Sequence, residues 1–197
     1  MKPNTQKRTI TVALAMALAA FASVPMANAG QMHSMKSSDT VIVGGAAMYP
    51  SKNIIQNAVN SKDHTTLVAA IKAAGLVDTL SGPGPFTVFA PTNEAFAALP
   101  EGTVDSLLKP ENKATLTKIL TYHVVPGKMT SQDLAKAVAA GGGKAELKTV
   151  EGGSLTVGKD GDQWTVTDDK GDVADITIAD VNQSNGVIFV VDKVLMP

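Results

Sequence analysis

The sequence predicts an α+β domain, with a helical first half, a strand-rich second half and an antiparallel sheet system. Three observations carry this. In the first half apolar residues recur at helical spacing, as in Leu67, Val68, Ile71 and Ala74. From Ala145 onward they alternate with polar ones, as in Ser154-Leu155-Thr156-Val157. Within the helical half lies the stretch 86–100, a strand that stops at a proline and turns at once into a short helix.

Taken in order, residues 1–29 read as an export signal. Lys2, Lys7 and Arg8 make a positive start, 10–24 is an apolar run too short for a comfortable membrane span, and Ala27-Asn28-Ala29 fits small-x-small cleavage after Ala29. Residues 30–40 are expected to be a flexible tail and 41–197 a single domain. Val41-Ile42-Val43 is apolar but broken by Gly44-Gly45. Pro50-Ser51 marks a helix start, with Ile54, Ile55, Ala58 and Val59 on one face. A second helix from about Thr65 stops at Gly75, and Leu76, Val77 and Leu80 form a further apolar turn. Ser81-Gly82-Pro83-Gly84-Pro85 then breaks the chain.

Phe86, Val88 and Ala90 alternate with Thr87 and Phe89, so both faces of this strand are largely apolar and expected to be buried. Pro91, without an amide hydrogen, is expected to end the ladder. Thr92 or Asn93 caps the helix that carries Phe96 and Leu99. Residues 103–108 read as a helical turn or two, and Pro110 suits the start of a helix bearing Leu116, Ile119 and Leu120. Residues 122–127 read as a short strand, and 131–138 as a helix capped by Ser131. Strands follow at 145–150, 154–157, 163–167, 174–178 and 187–191, separated by glycine turns.

Composition excludes several functions. The chain carries a net charge of −1, and loss of the export signal takes it to about −4. The only arginine is Arg8, within the signal. A domain without arginine lacks the side chain best suited to bidentate phosphate and guanine contacts, so nucleic acid is not an expected partner. There is no cysteine, which excludes disulfides, thiolate catalysis and thiolate metal sites. No later run is apolar enough to span a bilayer, so no transmembrane anchor is expected.

Three landmarks in order resemble the fasciclin-like (FAS1) family over about 53–197. The first is Phe86 to Pro100, similar to the first signature motif. The second is Ile119-Leu120-Thr121-Tyr122-His123-Val124-Val125-Pro126-Gly127, similar to the family's tyrosine-histidine segment. The third is Asn185 to Pro197, similar to the second signature motif. The resemblance implies a wedge-like β-sandwich with helices packed against it, and adhesion rather than catalysis. The second motif often carries a histidine where this chain has Phe189. Asp180-Val181 matches an Asp-Ile pair that the family's adhesion motifs include.

Candidate residues have bland readings beside functional ones. His123 sits beside Tyr122, but a general base needs a nucleophile or substrate in reach and no pattern supplies one. The favoured reading is structural for both: His123 bonds a backbone group, and Tyr122 packs its ring and satisfies its hydroxyl. Met32, His33 and Met35 are soft ligands suited to Cu(I), yet three ligands on a tail bind weakly, and an ordinary tail is favoured. Asp160, Asp162, Asp168, Asp169 and Asp172 crowd two turns without the calcium-loop order, and turn chemistry explains them. Asn182-Gln183-Ser184 is a chance glycosylation sequon, and Trp164 reads as core or half-buried strand.

The expected function is a secreted or periplasmic adhesion module with no catalytic residues, no metal and no cofactor. Its partner would be a protein or surface polysaccharide, held through Asp180, Val181 and the loop from Asn182 to Asn185. Tyr122, His123, Thr92 and Asn93 would support the fold. The alternative is a periplasmic small-ligand or metal-binding protein, which would need a real pocket between helices and sandwich.

Overall fold

Two largely apolar strands lie parallel at the heart of the sheet and decide where everything else packs. A computed structural model describes residues 40–197. The expected export signal, the expected tail as far as residue 39, and with it Met32, His33 and Met35, lie outside the described residues.

A hairpin opens the described chain, pairing β1 (Val41–Val43) with β2 (Ala46–Met48). Gly44 and Gly45 join them with φ of +57° and +75°, the backbone that a tight two-residue hairpin turn requires. Helix α1 (Ile54–Ala58) begins later than Pro50-Ser51 suggests, because Asn53 and Gln56 form a reciprocal capping box. Helix α2 (Thr65–Ala74) stops at Gly75, left-handed at φ +75°, as the sequence predicts. Helix α3 (Val77–Ser81) leads into strand β3 (Phe86–Pro91) and helix α4 (Asn93–Ala97). Helix α5 (Thr103–Leu107) and a 3-10 turn begun by Pro110 precede α6 (Lys113–Tyr122). Tyr122 thus ends a helix, and strand β4 (Val124–Pro126) is shorter than 122–127.

Helix α7 (Ser131–Ala140) is capped by Thr130 rather than Ser131. The Thr130 hydroxyl accepts the Asp133 N–H, and the Asp133 carboxylate answers to the Thr130 N–H, which also holds that carboxyl below its usual range. Then come β5 (Lys144–Lys148), β6 (Ser154–Asp160), β7 (Gln163–Thr167), β8 (Val173–Gln183) and β9 (Gly186–Val191).

These strands form a seven-stranded sheet in the order β4-β3-β9-β8-β7-β6-β5. Most pairings are antiparallel, but β3 and β9 run parallel, with Phe86 opposite Gly186 and Phe89 opposite Phe189. This one pairing departs from the antiparallel sheet system that the sequence predicts. A continuously apolar strand needs cover on both faces, and a long crossover of helices and strands supplies it. Pairing also runs through Pro91, opposite Val191, since β4 pairs only with Phe86–Val88 and the Pro91 nitrogen faces the side where β3 has become an edge.

Side-chain alternation splits the interior in two. Val88, Ala90, Ile188 and Val190 face the helical layer with Leu67, Ile71, Leu116 and Ile119. Phe89, Val187, Phe189 and Val191 face Leu155, Val157 and Val166 from the other half of the sheet, with Leu134 and Val138 of α7 closing that core. Strand β8 makes this fold-over: it pairs with β7 through Val173–Asp175 and with β9 beyond Ile176, with register shifts between. The Val150 N–H donates to the Val124 carbonyl at 2.7 Å, bringing the far end of the sheet back toward β4. The result is a β-sandwich closing toward a barrel, with helices packed on one face.

Candidate functional site

The segment 180–185 is mostly strand rather than loop, and its side chains divide between surface and interior. Asp180 has φ +56°, an αL position that Asp tolerates better than most residues. The shifted register before Val181 places it there. Its carboxylate accepts the Ser131 N–H at 2.7 Å and also the Ser131 hydroxyl. Val181 is buried at 1% exposure and Asn185 at 6%, which corrects the expectation that their side chains face a partner.

Asn185 is a tether. Its carbonyl oxygen accepts the Ile54 N–H, and its amide donates to the Leu80 and Gly82 carbonyls at 2.8 and 2.9 Å. All its side-chain polar atoms are engaged within the fold. Gln183 is also buried and bonds Asn57, whose amide group both accepts from and donates to the backbone of Tyr49. Only Asp180, Asn182 and Ser184 retain surface within this segment.

Sequence reasoning missed what lies beside them. The Ser184 N–H donates to the Lys52 carbonyl at 2.9 Å. The Lys52 ammonium sits 5.0 Å from the centre of the Tyr49 ring. Tyr49 is 46% exposed and its backbone is fixed by Asn57. Tyr49 and Lys52 carry no period or motif, and Lys52 reaches Ser184 only through tertiary structure.

Tyr122 and His123 are buried supports. The Tyr122 hydroxyl donates to the Ser154 carbonyl at 2.7 Å and accepts the Asp169 N–H at 2.9 Å. Burial pushes its pKa up to about 12. His123 accepts the Leu195 N–H on Nε2 at 3.0 Å, so its proton lies on Nδ1, which donates to the Ile119 carbonyl at 2.8 Å. Burial lowers its pKa to about 4, keeping the ring neutral. The His123 carbonyl also accepts the Phe89 N–H. One residue therefore joins α6, β3 and the C-terminal segment.

The other candidates are equally structural. Thr92 caps α4 through the Ala95 N–H. Asn93 accepts the Thr66 N–H and donates to the Lys62 carbonyl. Asp168 accepts the N–H groups of Lys170 and Asp172 on one oxygen and that of Met196 on the other. Trp164 is half-buried at the edge of the second core, under the Lys159 ammonium at 4.8 Å. Among the described residues no group of three or more His, Cys, Asp or Glu side chains is placed to hold a metal ion. A cavity does lie between helices and sheet, but at about 20 Å³ it is far below the roughly 300–1,000 Å³ of ordinary ligand pockets.

Helices pack on one face of a folded-over sheet, and Thr92, Asn93, Tyr122, His123 and Asn185 are all spent on internal bonds. Residues 62–197 match the sequence profile of the family described as Fasciclin domain, and the chain belongs to that family. It is 46% identical to Protein sll1483 of Synechocystis sp., over 92% of this chain and 93% of that one. It is 32% identical to Immunogenic protein MPB70 of Mycobacterium bovis, over 98% and 97%. Transforming growth factor-beta-induced protein ig-h3 of Sus scrofa is 41% identical over 66% of this chain, which spans 17% of that longer protein. A FAS1 domain pair from the insect cell adhesion molecule Fasciclin I shares the fold, with a TM-score of 0.67 and 18% identity, over 74% of this chain and 51% of that one. The family is non-enzymatic, made of adhesion and matrix proteins, and this chain is a non-enzymatic member.

Proposed function

We propose that the protein is a secreted or periplasmic adhesion module that holds a protein or surface polysaccharide through the patch formed by Tyr49, Lys52, Asn182 and Ser184. The observation that carries this is the exposed Tyr49 ring, whose backbone is fixed by the Asn57–Gln183 network and which is flanked by the Lys52 ammonium. A rigid aromatic beside a cation loses little entropy on binding, and such residues anchor interfaces. Asp180 and Asn182 form the rim of the patch. Val181 and Asn185 shape it from beneath. The export signal read at 1–29 and the family's adhesion character support the location.

The test is retention of purified protein on cell-envelope fractions. Tyr49→Ala combined with Lys52→Ala is expected to lower retention about tenfold or more, the scale of a binding hot spot, with an unchanged melting temperature. A double variant that binds as the parent does rules out this patch. A parent protein that binds no envelope component rules out the adhesion reading itself.

A further inference from the structure

Asn185-Gly186 is the only Asn-Gly step in the sequence, and the fold requires both residues. Gly186 opens β9 opposite Gln183 of β8 and Phe86 of β3, and a Cβ there would collide with the Phe86 carbonyl. Asn185 is buried and tied to Ile54, Leu80 and Gly82. In an unfolded chain such a pair is labile. Glycine has no side chain to shield its nitrogen, and its free backbone can bring that nitrogen onto the preceding side-chain carbonyl. The Gly186 nitrogen then bonds to the Asn185 Cγ and the Cγ–Nδ2 bond breaks. The side-chain nitrogen takes up the glycine proton and leaves as ammonia. Water opens the resulting cyclic imide, to aspartate when it breaks the new bond and to isoaspartate when it breaks the main-chain one.

The fold closes this route. Attack needs the Asn185 side chain to swing over the following nitrogen. Its Oδ1 is held by the Ile54 N–H at 3.0 Å, and its Nδ2 by the Leu80 and Gly82 carbonyls. The main chain is held as well, because the Asn185 carbonyl accepts the Phe86 N–H at 3.0 Å and Gly186 is buried within the sheet. Nor do the products fit the same place. Aspartate would set a carboxylate oxygen against the Leu80 and Gly82 carbonyls, acceptor facing acceptor in a buried site. Isoaspartate adds a carbon to the main chain, so Gly186 could not keep its register with both Gln183 and Phe86.

We propose that Asn185 is a modification site reached only in the unfolded chain, and that its conversion makes unfolding irreversible. Its reactants are the chain's own Gly186 nitrogen and water. The native tether prevents the reaction, and a chain that stays open too long is lost from the folded pool. This goes beyond the adhesion reading, because it needs no partner.

The test holds the purified protein at mildly alkaline pH, with and without guanidinium chloride, and then dilutes it to refold. Peptide mapping follows intact Asn185, and circular dichroism follows the refolded fraction. Asn185 is expected to convert in guanidinium chloride and to convert slower by about a thousandfold or more in native buffer, following the small fraction of time a stable fold spends open. The refoldable fraction should fall in step with intact Asn185. Asn182, followed by Gln183, is the internal control and should stay intact over the same period. No conversion of Asn185 in guanidinium chloride, or equal conversion of Asn182, overturns the site. Equal rates in the two buffers overturn the protection by the fold. Refolded molecules that carry isoaspartate or aspartate at position 185 overturn the irreversibility.

Discussion

The Asp180 carboxylate caps the first turn of α7 from outside the helix, accepting the N–H of Ser131 at 2.7 Å together with its hydroxyl. An acidic residue at a family adhesion position thus has its charge set against the positive end of a helix of its own fold. Its value is in joining the bulged β8 to α7.

Asp180→Ala should destabilise the domain by roughly 2–4 kcal/mol, from loss of a charged hydrogen bond and from placing a Cβ residue without a polar side chain at φ +56°. Asp180→Gly should cost less, because glycine accepts that backbone. Urea unfolding of both separates the contributions. Equal losses would show that the backbone conformation carries no penalty.

Tyr122→Phe leaves the Ser154 carbonyl and the Asp169 N–H without their shared partner. The expected cost is about 1–3 kcal/mol, read as a lower urea midpoint at unchanged slope.

Protonation of His123 would remove the acceptor that holds Leu195. Its folded pKa, about 4, lies below the unfolded 6.5, so the unfolded chain binds more protons between these values. The contribution is fully present above pH 6.5 and is lost as pH falls from 6.5 toward 4, about 3 kcal/mol in all. His64, whose pKa burial also lowers, acts in the same direction. His123→Gln can donate to Ile119 and accept from Leu195 without titrating. Its stability curve should be visibly flatter between pH 6.5 and 4 than that of the parent. Parallel curves would place the acid sensitivity elsewhere.

Phe189 lies 5.7 Å from Phe89 between ring centres, and both are fully buried. Phe189→His, the residue the family often carries, would put a polar ring into an apolar core. A loss of about 2–5 kcal/mol is expected from lost packing and an unpaired nitrogen, measured by thermal and urea unfolding.

Much of the fold was legible because its signals are local. Gly75 stops α2, Thr92 caps α4, and the alternation of β5 to β7 shows one buried face. The parallel partnership of β3 and β9 was not legible, because continuous apolar runs name no neighbour. At the candidate site, the structural roles of Tyr122 and His123 followed from the absence of any reacting group beside them. Burial of Val181 and Asn185 did not follow, since a register shift in β8 decides which way each side chain turns. Tyr49 and Lys52 were missed for the same reason: Gln183, which stands behind Asn57, and Ser184, which bonds Lys52, lie far along the chain.

The central placement of β9 has a mechanical consequence. β9 lies between parallel β3 and antiparallel β8, and the chain leaves it toward Pro197. The bonds from Leu195 to His123 and from Met196 to Asp168 pin that exit. Once they yield, tension directed along β9 shears it against both neighbours, so the paired bonds share the load instead of opening one after another.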